Sequence, residues 1–319
     1  MAEPPARKRL LGILAGSWTA QGIYALVRLG IPELLADGPR PATELADECA
    51  ADPQALTRLL RALALTGLVA QPSPGVFGLT ATSELLRADV PGSVRLNALM
   101  QGDEVFRAFA EIMHTMRNGR PSFEHVFGKP FYDYLDDNPD AAAIFNESMG
   151  DQRPPEALTG CDLSGAEHVI DVGGGNGVLL EALLTEHPGL RGTLVELPDA
   201  CRLATERFTA AGVADRAEVV AGSFFDGVPA GGDVYVLARV LHNWADERAH
   251  EILRNCRAAM ATGARLIVLE EFTPGFVDLL MLVTMEGRDR TADEYGELLG
   301  KAGFEVTAVR DGVLEARAA

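Results

Sequence analysis

The stretch from His168 to Asp199, HVIDVGGGNGVLLEALLTEHPGLRGTLVELPD, constrains the fold more than any other part of the chain. A short apolar run, His168 to Val172, ends in a turn with glycines at 173, 174, 175 and 177. Apolar residues at helical spacing follow (Val178, Leu179, Leu180, Leu183, Leu184), and then a second strand-like run, Gly192 to Leu197, closed by Glu196. Strand, glycine turn, helix, strand and acid in that order open a doubly wound nucleotide-binding sheet. Glycines in such a turn let the backbone approach a ligand with no Cβ in the way.

The details of the turn narrow the ligand. Position 178, where a dinucleotide fingerprint needs its third glycine, is Val178. Asp171 stands at the carboxyl end of the first strand. A carboxylate there repels a pyrophosphate but attracts the ammonium of a methionine moiety. Glu196, at the end of the second strand, is placed to accept both hydroxyls of a ribose. Together Asp171, Gly173, Gly175 and Glu196 point to S-adenosylmethionine as the ligand.

Composition bounds the rest. A chain of 319 residues is long enough for two domains, and 47% apolar with 23% charged residues describes a globular protein. No run of the roughly 18 apolar residues that a membrane span needs is evident, so no membrane partner is expected. A net charge of −18 argues against a nucleic-acid partner, which calls for a basic face. Cys49, Cys161, Cys201 and Cys256 are far apart and read as reduced thiols of a cytoplasmic protein. No His or Cys lies at metal-ligand spacing, so no metal is expected.

Residues 8–36 carry apolar positions at helical spacing, among them Leu10, Leu14, Trp18, Ile23 and Val27. Residues 41–70 read as two short helices joined at Ala51-Asp52-Pro53, with Thr43 and Asp52 as N-caps and Gly67 as a stop. A hairpin from Gln71 to Thr80 completes the outline of a winged helix over about 8–92. Its second helix offers only Arg58 and Arg61 as cations and is otherwise rich in Leu, so it suits packing or dimerisation better than reading DNA. Residues 94–157 are helical in pattern, and Phe131, Tyr132, Tyr134, Phe145 and Met149 cluster there. A hinge is expected at Arg153-Pro154-Pro155, giving a helical domain over 1–155 and a nucleotide domain over 156–319.

From Gly165 strands and helices alternate. Strands are expected at 168–172, 192–197, 217–221, 233–238, 265–270, 304–310 and 313–317, with helices at 177–186, 199–211, 246–260 and 292–302. This is an α/β, Rossmann-like doubly wound sheet with both faces covered. Asp311-Gly312 signals a hairpin, so the last strand should run antiparallel.

His242, in LHNWADE, follows the fourth strand at the end of the sheet where sites gather, and a His there suits a general base. Glu270 ends the fifth strand, and Asp289 lies in GRDRT before the Thr291 helix start. An acid bonded to the imidazole would fix its tautomer and raise its basicity.

With these pieces the chain resembles the S-adenosylmethionine-dependent O-methyltransferases of the plant caffeate type and their bacterial secondary-metabolism relatives. The resemblance runs from the winged-helix region through FNESMG, DVGGGNG, LVELPDA, GSFFDGVP, LHNWADE, LIVLEE and LLMLV to GRDRT. It implies a homodimer formed through the N-terminal domain and a small aromatic or polyketide-type acceptor. It further implies that Gly173, Glu196, Leu197 and Arg239 contact the cofactor, that Ser223 and Phe224 flank its adenine, and that His242 is the base between Glu270 and Asp289. Phe145, Met149, Asn243, Met281 and Met285 are implied to line the acceptor pocket. The chain departs from the family at Ser223 and Asn243, where Asp is usual, at Asp289, where Glu is usual, and in a short connection from Glu271 to Val277. Methylation of a phenolic hydroxyl is the expected reaction. The alternatives are C- or N-methylation, hydroxylation or cyclisation on the same fold, and a winged-helix regulator without enzymatic activity.

Overall fold

The run HVIDV forms an interior strand of a seven-stranded sheet because residues buried on both faces of a sheet must be largely apolar in succession. The computed structural model describes residues 5–150, 163–273, 275–310 and 312–319. In it the chain divides into two compact units, Met1–Arg107 and Ala108–Ala319. The expected 155/156 boundary and its Arg153-Pro154-Pro155 hinge lie outside the described residues. The helices from Ile112 to Gly150, expected with the N-terminal domain, fall within the second unit.

The first unit begins with helices Pro5–Leu14, Gly16–Arg28 and Ile31–Leu34. Helices Ala42–Glu48 and Pro53–Leu65 follow, and the hairpin Val69–Ser73 and Val76–Leu79 pairs with Arg40–Pro41 in a small three-stranded sheet. Asp52 caps the second of these helices, its carboxylate accepting the Ala55 N–H at 2.7 Å. Thr43 does not cap the first; Pro41 takes that position and no side chain bonds there. Leu26, Ile31, Leu45, Leu60 and Phe77 form the core. The Leu-rich face of Pro53–Leu65 is spent on it through Leu56, Leu60 and Leu63. Leu10, Ile13, Leu14 and Trp18 are exposed, Trp18 to 77%. The helical stretch Pro5–Arg28 is long and apolar enough to cross a membrane by length and composition alone, which corrects the expectation that no such run exists.

The second unit holds the sheet: β1 (His168–Val172), β2 (Arg191–Glu196), β3 (Ala217–Ala221), β4 (Val234–Ala238), β5 (Arg265–Leu269), β6 (Phe304–Arg310) and β7 (Val313–Ala318). Their order is β3-β2-β1-β4-β5-β7-β6. The first five are parallel, and β7 runs antiparallel to both neighbours. Helices α1 (Val178–Glu186), α2 (Pro198–Ala210), α3 (Asp246–Ala259), α4 (Phe276–Thr284) and α5 (Ala292–Lys301) complete it. The two-residue period of a strand sorts side chains between the faces. Val169, Val234, Val236 and Ile267 pack with Leu180, Leu184 and Phe208 of α1 and α2. Ile170, Tyr235, Leu237 and Leu266 pack with Ile252, Leu253 and Leu298 of α3 and α5.

Helix α4 was not among the expected elements. Its sequence, FVDLLMLVT, is too uniformly apolar for a period to show. Val283 of α4 is buried against Phe123, Phe131, Leu135 and Ala142 of the preceding helices, so this apolar run lies in a second core rather than in the sheet.

Candidate active site

The carboxyl ends of β1, β2, β4 and β5 carry the expected site residues, as parallel sheets arrange them. Gly173 has φ +74°, and a Cβ there would meet Val240 at 3.0 Å and Phe224 at 3.1 Å. A Cβ on Gly174 would stand 2.1 Å from Asp171 Oδ2, so the turn folds directly over that carboxylate. Asp171 is fully buried, and among the described residues neither oxygen has a hydrogen-bond partner. Burial, and then the nearby Glu196 charge, pushes its carboxyl up to about 7. Burial raises Glu196 as well, against the Leu197 and Gly175 amides, which favour its charged form. Leu197 donates its N–H to Glu196 Oε2 and leaves its side chain half exposed. Gly175 has φ +60° and open space before it.

These features fit the expected ligand. Two orphaned buried carboxylate oxygens suit a cationic group, and a bare glycine backbone leaves room beside them. Phe224 lines the turn, in edge contact with Phe225 (4.9 Å) and Trp244 (6.1 Å). Ser223 lies next to it, its Oγ accepting the Phe225 N–H at 3.2 Å in a local turn.

The second group of residues gathers around His242. Arg239, just beyond β4, has φ +55°, an uncommon conformation for a residue with a Cβ, and it turns the chain out of the sheet. Its N–H donates to Leu269 O at 2.8 Å, and its carbonyl accepts from Asn243 Nδ2 at 3.2 Å. His242 then sits, buried, in a single 3₁₀ turn, Leu241–Asn243. Its Nδ1 lies 3.1 Å from Asp289 Oδ1. The shorter Asp therefore reaches the imidazole, and its own backbone N–H is held by Asp278 Oδ1 of α4 at 2.9 Å.

Glu270 is positioned differently from the flanking role expected of it. Its Oε1 accepts the backbone N–H groups of Leu241 (2.9 Å) and His242 (3.3 Å), so it grips the loop rather than the ring. Burial pushes its carboxyl up, opposed by the His242 charge and those amides. Oε2 of Glu270 and Oδ2 of Asp289 are buried with no hydrogen-bond partner among the described residues.

Beside this loop stands an aromatic wall. Tyr132 stacks on Trp244 at 5.4 Å and 15°, and Phe145 meets Phe131 edge-on at 5.1 Å. Phe145 and Met285 pack on the core cluster that contains Val283. Met281 is buried on α4, and Met149 is half-buried on helix Pro139–Gly150.

Comparison with known proteins adds the remaining fact. Residues 109–305 match the model of an O-methyltransferase domain, and residues 11–89 match an O-methyltransferase dimerisation domain. The chain belongs to the O-methyltransferase family. It is 39% identical to a phenazine O-methyltransferase of Lysobacter antibioticus, over 96% of this chain and 93% of that protein. It is 35% identical to the aclacinomycin 10-hydroxylase of Streptomyces purpurascens, over 94% and 85% of the two chains. Among solved structures it resembles an O-methyltransferase of neocarzinostatin biosynthesis in complex with S-adenosylmethionine and 2-hydroxy-5-methyl naphthoic acid. That match has a TM-score of 0.86 and 36% identity, and covers 94% of this chain and 96% of the other. The cofactor of this methyltransferase is S-adenosylmethionine.

The structure of the methyltransferase also brings in two residues that sequence reasoning passed over. Tyr132 was noted only as part of an aromatic cluster, yet burial, and then the charge of Glu196, raises its hydroxyl well above the usual tyrosine range. Its stack on Trp244, whose ring also meets Phe224, puts it near the glycine turn. Arg290 was quoted only as a letter of GRDRT. It is 1% exposed, a rare state for a cation, and its guanidinium donates to Leu241, Trp244 and Asp246 of the segment that carries His242. The one signal in the sequence was its place beside Asp289.

Proposed function

We propose that this enzyme methylates a phenolic hydroxyl of a flat aromatic secondary metabolite, with His242 as general base. The observation that carries the reading is the buried hydrogen bond between His242 Nδ1 and Asp289 Oδ1. A proton kept on Nδ1 by Asp289 leaves the lone pair on Nε2 for the acceptor hydroxyl. A phenol has a pKa of about 10, so little of it is ionised at neutral pH, and removing its proton at the moment of attack is worth roughly 10²–10⁴ in rate. Glu270 holds the loop amides, so that the imidazole keeps its place. Phe145, Met149, Asn243, Met281 and Met285 line the acceptor side. Asp171, Gly173, Gly175, Glu196, Leu197, Ser223, Phe224 and Arg239 serve the cofactor. S-adenosylmethionine supplies the methyl group.

The assembly in this reading is a homodimer through the N-terminal unit. The matched dimerisation domain and the exposed Leu10, Ile13, Leu14 and Trp18 support it, since an apolar face of that kind calls for a partner surface.

A second reading keeps the fold and cofactor but changes the chemistry, and the similarity to a hydroxylase favours it. One experiment separates the two. His242→Ala is expected to bind cofactor normally and to methylate phenols about 10²- to 10⁴-fold more slowly, measured by mass spectrometry with labelled cofactor. A wild-type rate in that variant would sink the base assignment, and oxygenated products without label would support the hydroxylase reading.

A further inference from the structure

We infer that Arg290 is a positioning residue that clamps the His242 loop, so that the base stays in register with Asp289. The inference rests on the reading of His242 as the base. Arg290 Nη1 donates to the Leu241 carbonyl at 3.1 Å and to Arg288 O at 3.2 Å. Nη2 donates to the Trp244 carbonyl at 2.9 Å, and both Nη2 (2.7 Å) and Nε (3.0 Å) donate to Asp246 Oδ1. The guanidinium therefore holds the loop on both sides of His242, through the residue before it and the second residue after it. Its plane lies beside the Tyr295 ring, with Cζ 5.7 Å from the centroid.

Two further observations say that this is more than a stray ion pair. Burying a guanidinium carries a heavy desolvation cost, and a merely electrostatic partner for Asp246 would work as well from the surface. Asp246 itself is half exposed. Burial acts most strongly, against its charged form, but the Arg290 hydrogen bond together with the charges of Arg290, Arg288 and Lys301 holds its carboxyl below the usual range. The backbone is also shaped to bring the clamp close. A Cβ on Gly287 would stand 2.2 Å from the His242 carbonyl oxygen, so only glycine lets residues 287–290 lie directly on the loop. From that one segment Asp289 takes the imidazole and the next residue takes the backbone beneath it. A flat fork with fixed donors can hold two carbonyls and a carboxylate at once, whereas an ammonium cannot reproduce that geometry.

The test is Arg290→Lys in the full-length enzyme, alone and combined with Asp289→Asn. A loosened base displaced by about 1 Å costs about 10²-fold in kcat. Arg290→Lys is expected to show that loss with cofactor affinity by calorimetry changed by less than about twofold. In the Asp289→Asn background, where the imidazole is already released, the same change should cost less than about threefold, because the two residues act as one unit. Hydrogen exchange should rise in residues 240–246 and stay unchanged in the turn at 171–178. Multiplying losses, cofactor affinity that falls as far as kcat, or unchanged exchange at 240–246 would overturn the proposal. Should Arg290→Lys not fold, Asp246→Ala removes one anchor from the exposed side. It is expected to lower kcat several-fold with the same exchange pattern, and a wild-type kcat there would count equally against the clamp. Failure of the base reading looks different, because it shows as a wild-type rate in His242→Ala whatever Arg290 does.

Discussion

The glycine turn and the His242 loop lie at the same end of one sheet, yet they are assembled in opposite ways. The turn is local. Asp171, the glycines and Glu196 belong to one uninterrupted β1–α1–β2 unit, and the backbone conformation is set by residues that tolerate positive φ. The His242 loop is built from a distance. Its imidazole is held by an acid 47 residues away, its amides by an acid just beyond β5, and its carbonyls by Arg290. The acids differ accordingly. Asp171 is buried without a hydrogen bond, while Asp289 is committed to a ring and steadied by Asp278. A site suited to a cation keeps an acid with both oxygens unpartnered, and a site suited to holding a base commits an oxygen of each acid to the ring or the loop.

If the two regions are separate devices, changes to them should separate kinetically. The largest effect is expected from Asp289→Asn, which keeps the shape but cannot accept the Nδ1 proton in the same way. It should lower kcat by about 10²- to 10⁴-fold and leave the cofactor dissociation constant in place, as steady-state kinetics and calorimetry would show. An equal loss of cofactor affinity would merge the two regions into one. Glu196→Gln should do the reverse. Losing a charged acceptor for the ribose hydroxyls is worth about 1.5–3 kcal/mol, so affinity should fall roughly ten- to hundredfold with kcat at saturation little changed. A fall in kcat alone would break the division.

The smallest and most diagnostic effect is that of pH. In the cofactor-free fold Asp171 sits at about 7, raised by burial and by Glu196. Below that pH it is mostly neutral and offers a cation less, so cofactor affinity should rise by up to about tenfold per unit as pH climbs to 7, and then level off. The sign for stability is opposite. The folded protein keeps on Asp171 a proton that the unfolded chain releases at a pKa near 4, so this group's contribution to stability declines as pH rises from about 4 to 7. Asp171→Asn should flatten both profiles. Calorimetric titrations on either side of pH 7 with an unchanged dissociation constant would remove Asp171 from cofactor binding.

The same contrast explains how much was legible in the sequence. The strands of the sheet came out within a residue or so of their observed limits, because a run such as VYVLA, buried on both faces, has few other options. The caps were partly legible. Asp52 before a proline does cap its helix, whereas Thr43 lost its place to Pro41, a choice made by the chain path. Helix α4 was not legible, since an apolar run long enough for either element has no period to read. The apolar reach of Pro5–Arg28 is hard to read for a related reason: it is spread over a helix interrupted by Ser17, Thr19 and Gln21 rather than shown as one run. At the candidate site, the positions of His242 after a strand and Asp289 before a helix were legible, and the structure brings the two side chains together. The division of labour between Asp289 and Glu270, one on the ring and one on the amides, needed coordinates.

The sequence by itself determined the sheet, the order of its elements, the glycine turn and the acids Asp171 and Glu196 on either side of it, because each depends on residues close together in the chain. Only the tertiary structure decided which acid touches His242, that Arg290 is buried on the loop, and that Tyr132 meets Trp244. Those contacts join segments dozens of residues apart. Their geometry follows from how helices and loops pack, which no local pattern of residues encodes.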